Sequence, residues 1–168
     1  MRIAKDGNVH VSAPISLSKE EVKRFVNDHQ EWIENARKRT LEAETRRKSF
    51  YAQLPLSKKT EKTAAMVRLD RTIQPLLEYH CQKMNVRPSR ISYKAMISRW
   101  GMCNTNTKEI CFSLYLLLLP EWCIEHVVVH ELAHLLVPNH GPQFYVLMDQ
   151  FFPMWKEAKR ETTRISRS

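Results

Sequence analysis

Residues His130 to His134 have the types and the spacing of a catalytic metal site. They spell H-E-x-x-H, and on a helix two residues four positions apart lie on the same face, about one turn from each other. Two imidazoles placed in this way can bind one zinc ion. Glu131 projects about 100° further round the helix, where its carboxylate can act as general base towards a water molecule that the metal activates. The motif predicts His130 and His134 as zinc ligands and Glu131 as the catalytic residue.

The residues around this motif are apolar on nearly every face of the predicted helix, which is typical of a buried helix. Buried imidazoles and carboxylates need partners. A metal ion would be such a partner, and the alternative is a core helix whose polar side chains are satisfied by hydrogen bonds. The apolar residues are Val127, Val128, Val129, Leu132, Ala133, Leu135 and Leu136.

A hydrolytic zinc site needs a third protein ligand and one open position. His140 is the predicted third ligand, because Pro138 disfavours helical geometry at the residue before it. The helix should therefore end near Leu136, and the chain should turn. The rival third ligand is a carboxylate on a following helix. The candidate carboxylates are Asp149, Glu157 and Glu161.

Length and composition limit the classes of protein to consider. The 168 residues suffice for one core, or for one core with a small appendage. The four cysteines form no C-x-x-C pair, which predicts reduced thiols in a cytoplasmic protein. No apolar signal-peptide region is evident at the N-terminus. The apolar run 114–119 is too short to span a bilayer, so no membrane association is expected.

Positive charge is concentrated in one part of the chain. The net charge is +9, and residues 37–71 contain eleven Lys and Arg against four Asp and Glu. Such a surplus could bind nucleic acid or another polyanion. The alternative, which we favour, is a set of solvated helix faces with ion pairs such as Glu42 with Arg46.

The order of elements along the chain predicts an α+β protein. A β-hairpin is expected at residues 2–5 and 8–12, followed by two helices, the first with a capping box formed by Ser18 and Glu21. Asp28 is the predicted cap of the second helix. We expect residues 1–50 to form this N-terminal segment, 51–60 a linker, and 61–168 the catalytic domain.

Within the predicted catalytic domain, a long helix is expected over residues 61–84, with Pro75 kinking or splitting it. Strands are predicted at 91–96 and 109–113, in a small antiparallel sheet. Prolines at positions 120, 142 and 153 mark the beginnings of three further helices.

Three segments together resemble the YgjP-like metallopeptidase family. They are Arg99-Trp100-Gly101-Met102-Cys103, then the H-E-x-x-H motif, then Asn139-His140-Gly141-Pro142-Gln143-Phe144-Tyr145. The resemblance implies a small zincin-like α+β domain, distantly similar to the SprT-like and WLM proteases. It also implies zinc bound by His130, His134 and His140, with Glu131 as the base.

The function expected from these residues is zinc-dependent hydrolysis of a peptide or protein. Arg99, Tyr145 and His126 are candidates for stabilising the oxyanion, and the strand at 109–113 is the expected edge strand for an extended substrate. Two alternatives stay open. One is a metal-dependent nucleotide pyrophosphohydrolase, and the other is a nucleic-acid-associated protein with a structural zinc. The oligomeric state is not predicted.

Overall fold

The computed structural model describes residues 1–4 and 6–167. Lys5 in the predicted hairpin and Ser168 at the end of the predicted catalytic domain lie outside the described residues. The elements in chain order are β1 (Arg2–Ile3), β2 (Val9–His10), α1 (Lys19–Asp28), α2 (Gln30–Ala52), α3 (Lys59–Met84), β3 (Arg90–Lys94), β4 (Gly101–Asn104), β5 (Glu109–Ser113), a 3₁₀ helix (Leu114–Leu118), α4 (Glu121–Ala133), α5 (Pro142–Phe151) and α6 (Trp155–Ile165).

This described part of the chain is a mixed α+β fold, as predicted. It divides into two compact units. One is Met1–Phe50, which also includes Arg167, and the other is Tyr51–Ser166.

The N-terminal unit contains the hairpin and the capping box that the sequence predicts. β1 pairs antiparallel with β2, with Ile3 opposite Val9, and Gly7 adopts the left-handed conformation of the turn, at φ 83°. The hairpin strands are shorter than predicted. At the start of α1, the Glu21 amide donates to Ser18 Oγ at 3.2 Å, and the Ser18 amide donates to Glu21 Oε2 at 2.8 Å. The capping box is therefore confirmed.

Helix α2 is longer than predicted and begins without the predicted cap. Asp28 is the last residue of α1, and α2 begins at Gln30. Residues 36–48 are mostly strong helix formers, and their helix propensity favours the continuation of α2 through this segment. Glu42 and Arg46 approach to 4.0 Å as an exposed i,i+4 pair, a contact that contributes only a few tenths of a kcal/mol.

Little irregular chain separates α2 from α3. The predicted linker 51–60 contains the end of α2 at Ala52, a non-helical connection of residues 53–58, and the start of α3 at Lys59. Binding of a polyanion by residues 37–71 stays a prediction.

Helix α3 continues through Pro75 as a single helix. Of the two predicted alternatives, a kink or a split, the split is therefore wrong. Proline removes one backbone donor and crowds the preceding turn. A buried apolar stripe on both sides of it, formed by Leu69, Ile73 and Leu77, holds the helix against α4 and the 3₁₀ helix. The helix ends at Met84, and its C-cap residue Asn85 is left-handed at φ 52°, a conformation that is common at helix C-termini.

The three-stranded sheet has the order β3–β5–β4. β5 pairs parallel with β3, placing Ile110 opposite Ile91, and antiparallel with β4, placing Cys111 opposite Met102. The predicted antiparallel sheet is therefore corrected to a mixed sheet, because the chain crosses over after β3 and forms β4 on the far side of β5. The strand Glu109–Ser113 is central, so its prediction as the edge strand is wrong.

Helix α4 occupies the centre of the second unit, in contact with α3, β4, α5 and α6. Nine of its thirteen residues are buried. Lys108 lies in the β4–β5 turn, is left-handed at φ 58°, and donates from Nζ to the Leu135 carbonyl oxygen at 2.9 Å. This bond joins the sheet to the end of the helix.

Within residues 1–4 and 6–167, none of the helices combines the length and the apolar character needed to cross a membrane.

Candidate metal centre

Three histidines converge where α4 ends. His130 lies in the last turn of α4, His134 is its C-cap residue, and His140 lies in the loop before α5. One ring nitrogen from each lies within 4.8 Å of the others. The Nε2 atoms of His130 and His140 are 3.0 Å apart. The helix supplies two of these side chains because i and i+4 share a face. The turn after residue 136 brings the third, His140, back towards the end of α4.

The orientations of the three rings are fixed by two further contacts. His134 Nδ1 lies 3.2 Å from the Val137 carbonyl oxygen, so a proton on Nδ1 would leave Nε2 to bind a metal. The Phe144 ring is fully buried and lies 4.9, 4.7 and 4.6 Å from the rings of His130, His134 and His140. Phe144 therefore packs against all three imidazoles at once.

The chemistry of this cluster fits a zinc ion. Burial, followed by the charge of the neighbouring His134, lowers the pKa of His130 to about 3. Burial also lowers the pKa of His134. Both rings are thus neutral at pH 7, and each offers a lone pair to a metal. Imidazoles alone, without a carboxylate, suit zinc better than magnesium or calcium.

Glu131 lies in a cleft of about 460 Å³ that the three histidines also line. Its side chain is only 5% exposed, and burial raises its pKa to about 8, opposed by the positive charge of Arg99. A methyl group built on Gly101 would lie 2.5 Å from Glu131 Oε1. The absence of a side chain at Gly101 therefore gives the carboxylate its place against β4.

The rival third ligands are not members of the histidine cluster. Asp149 Oδ1 accepts a hydrogen bond from Trp155 Nε1 at 2.7 Å. Glu161 forms an ion pair with Arg164 at 2.6 Å, and Glu157 is exposed in the first turn of α6. The converging donor atoms are those of His130, His134 and His140, and none of these carboxylates is among them.

The other two histidines of this unit have different surroundings. His80 is buried in α3, and its Nε2 lies 2.7 Å from Glu125 Oε1 on α4. It joins two helices and takes no part in the histidine cluster. His126 lines a second cavity together with Tyr145, whereas Arg99 lines the cleft with Glu131. Of the three predicted oxyanion-stabilising candidates, only Arg99 shares a cavity with the Glu131 carboxylate.

Sequence reasoning missed three residues that shape the site. Gly101 and Phe144 belong to the segments that carry the family resemblance, which assigns neither of them a role in the site, and Lys108 lies outside all three segments. The contact of Phe144 with the histidines could have been predicted from the sequence. Phe144 follows His140 by four residues, on the segment that must return to α4 if His140 is a ligand. The contacts of Gly101 and Lys108 depend on strand pairing, for which the sequence has no local signal.

Comparison with known families identifies the chain. The family model described as "YgjP-like, metallopeptidase domain" matches residues 1–64 and 51–164, which together span nearly the whole chain. Comparison with curated proteins and comparison with solved structures each find no match. The chain therefore belongs to the YgjP-like metallopeptidase family, whose name describes a metal-dependent hydrolase.

Proposed function

We propose that this protein is a zincin-like, zinc-dependent peptidase. In this proposal His130, His134 and His140 hold the metal, Glu131 is the general base, and the substrate is a peptide or protein. The observation that carries the proposal is the convergence of the three imidazoles on the cleft that also contains the Glu131 carboxylate. The cluster has three donors among the described residues. A structural zinc has four protein ligands, so three donors favour catalysis.

The chemistry divides between the metal and the side chains. When bound, zinc would lower the pKa of a water molecule, polarise the substrate carbonyl and favour the ionised form of Glu131. The Glu131 carboxylate would accept the proton of the attacking water and pass it to the amine nitrogen that leaves. Its burial keeps bulk water away from this proton transfer.

The substrate would lie along β4 and beside Arg99. β4 is an edge strand, and Gly101, Met102 and Cys103 line the cleft with Glu131. An extended peptide can pair with such an edge through its backbone. Arg99 supplies positive charge to the same cleft and is the side chain that we assign to the developing oxyanion.

Replacing Gly101 by Ala should slow hydrolysis with little effect on zinc content. The new methyl group would overlap the Glu131 carboxylate and force it to move. A displacement of about 1 Å in a catalytic group costs roughly 10²-fold in rate. The measurement compares kcat and zinc stoichiometry between the Gly101→Ala variant and the wild-type protein.

Gly141→Ala is the matched control, because a methyl group there would meet nothing within 4 Å. Equal kcat values in the Gly101 and Gly141 variants would contradict the role of Gly101 in positioning the carboxylate.

A substrate screen with and without metal tests the proposed function directly. The purified protein is stripped with a chelator, reloaded with zinc, and assayed on an unfolded protein, a peptide library and nucleoside triphosphates. We expect cleavage of peptide bonds only in the zinc-loaded protein, with the triphosphates intact. Hydrolysis of triphosphates with all peptides intact would instead establish a nucleotide pyrophosphohydrolase, and metal-independent cleavage would exclude the zinc mechanism.

A further inference from the structure

A second cavity, of about 280 Å³, borders the histidine cluster. It shares His130 and His140 with the cleft that contains Glu131. A substrate held at the three histidines could therefore place one side chain in this cavity while its backbone lies in the cleft. The proposed mechanism makes no use of this cavity.

Aromatic rings form the apolar part of its wall. Tyr145 and Trp155 are stacked, with ring centres 5.1 Å apart and planes at 22°. Phe144 meets Tyr145 edge to face at 5.7 Å. The hydrogen bond from Trp155 Nε1 to Asp149 fixes the orientation of the indole. Such rigid rings can pack against the methylene groups of a bound side chain.

The polar part of the wall is basic. His126 is only 7% exposed, and its Nδ1 has no hydrogen-bond partner among the described residues. The Lys159 side chain also lines the cavity, and its positive charge reaches His126 and His130. The described residues that line the cavity include no carboxylate. The described part of the wall therefore carries the positive charge of Lys159 and no negatively charged side chain.

We propose that this cavity is a specificity subsite that binds an acidic side chain of the substrate, next to the bond that is cleaved. The methylene groups of a glutamate would lie against Tyr145 and Trp155, and its carboxylate would lie near Lys159 and His126. This inference rests on the proposed peptidase function, since it assigns the substrate class of the same site.

The first test compares matched peptides that carry Glu, Gln, Lys or Phe on either side of one cleavable bond. With zinc-loaded protein we expect kcat/KM for Glu to exceed that for Gln on the order of 10-fold, as for a charge-assisted contact with a partly solvated lysine. Lys159→Met should remove this difference, and Lys159→Glu should reverse it in favour of Lys.

Arg160→Met is the control, because Arg160 is an exposed cation next to Lys159 that does not line the cavity. It should retain the preference for Glu. Three results would contradict the subsite and leave the peptidase function standing. They are equal kcat/KM values for the Glu and Gln peptides, a higher kcat/KM for the Phe peptide, and a preference for Glu that Lys159→Glu does not change.

A binding measurement keeps the two proposals separable. Calorimetry on the zinc-loaded Glu131→Gln variant measures the affinity for each peptide without turnover. Adding Lys159→Glu to this variant should weaken the binding of the Glu peptide and of no other peptide. If the wild-type protein cleaves no peptide, the peptidase function fails. The subsite then stands if the Glu peptide binds more tightly than the Gln peptide through Lys159, and it fails if the two bind equally.

Discussion

Glu131→Gln should lower the rate of hydrolysis by about 10² to 10⁴ while leaving zinc content unchanged. Glutamine has nearly the same shape and fills the same buried position against Gly101, but it cannot accept the proton of the attacking water. Loss of a general base accounts for an effect of this size, which corresponds to about 3 to 5 kcal/mol of activation free energy. The measurement is kcat/KM on a cleaved peptide, at equal zinc loading.

Thermal melting of the same variant separates catalysis from structure. If Glu131 acts only as a general base, its replacement should leave the melting temperature unchanged. If Glu131 is purely structural, its replacement should lower the melting temperature and leave turnover per folded molecule unchanged. Undiminished hydrolysis by Glu131→Gln would remove Glu131 from the mechanism.

His140→Ala should lose most of the bound zinc and keep the fold. His140 is exposed, so its removal leaves no large cavity in the core. Changes in residues that only support a ligand already cost about 10- to 100-fold in metal affinity, and we expect loss of a ligand to exceed roughly 100-fold. Elemental analysis and a competition titration with a chelator measure the effect.

His29→Ala is the matched control, because His29 lies between α1 and α2 in the other unit. It should bind zinc as the wild-type protein does. Full zinc retention by His140→Ala would transfer the third-ligand role to another side chain, of which Glu157 is the first to test.

The parts of the molecule that follow from short stretches of sequence were predictable. The H-E-x-x-H spacing places two imidazoles on one helix face, and Pro138 marks the place where the chain turns towards His140. Ser18 with Glu21 formed the capping box that the pattern indicates. In each case the residues involved lie within about ten positions of one another, so local geometry decides the outcome.

The parts that depend on distant pairing were not predictable. β4 is a short strand with no periodic signal, and its place beyond β5 decides that Gly101 rather than a β5 residue meets Glu131. The continuation of α3 through Pro75 depends on packing against α4, which outweighs the local preference of proline. The aromatic cavity needs α5 and α6 to meet at Tyr145 and Trp155, a contact that neither helix specifies alone.

The near-complete enclosure of α4 has a consequence for how this protein can be redesigned. Its neighbours on several sides constrain side-chain volume at the nine buried positions, so substitutions there would disturb packing before they altered substrate choice. In the proposed peptidase, specificity would instead be changed at exposed rim positions such as Met102 and Lys159. A library restricted to such positions would test new substrates while α4 stays unaltered.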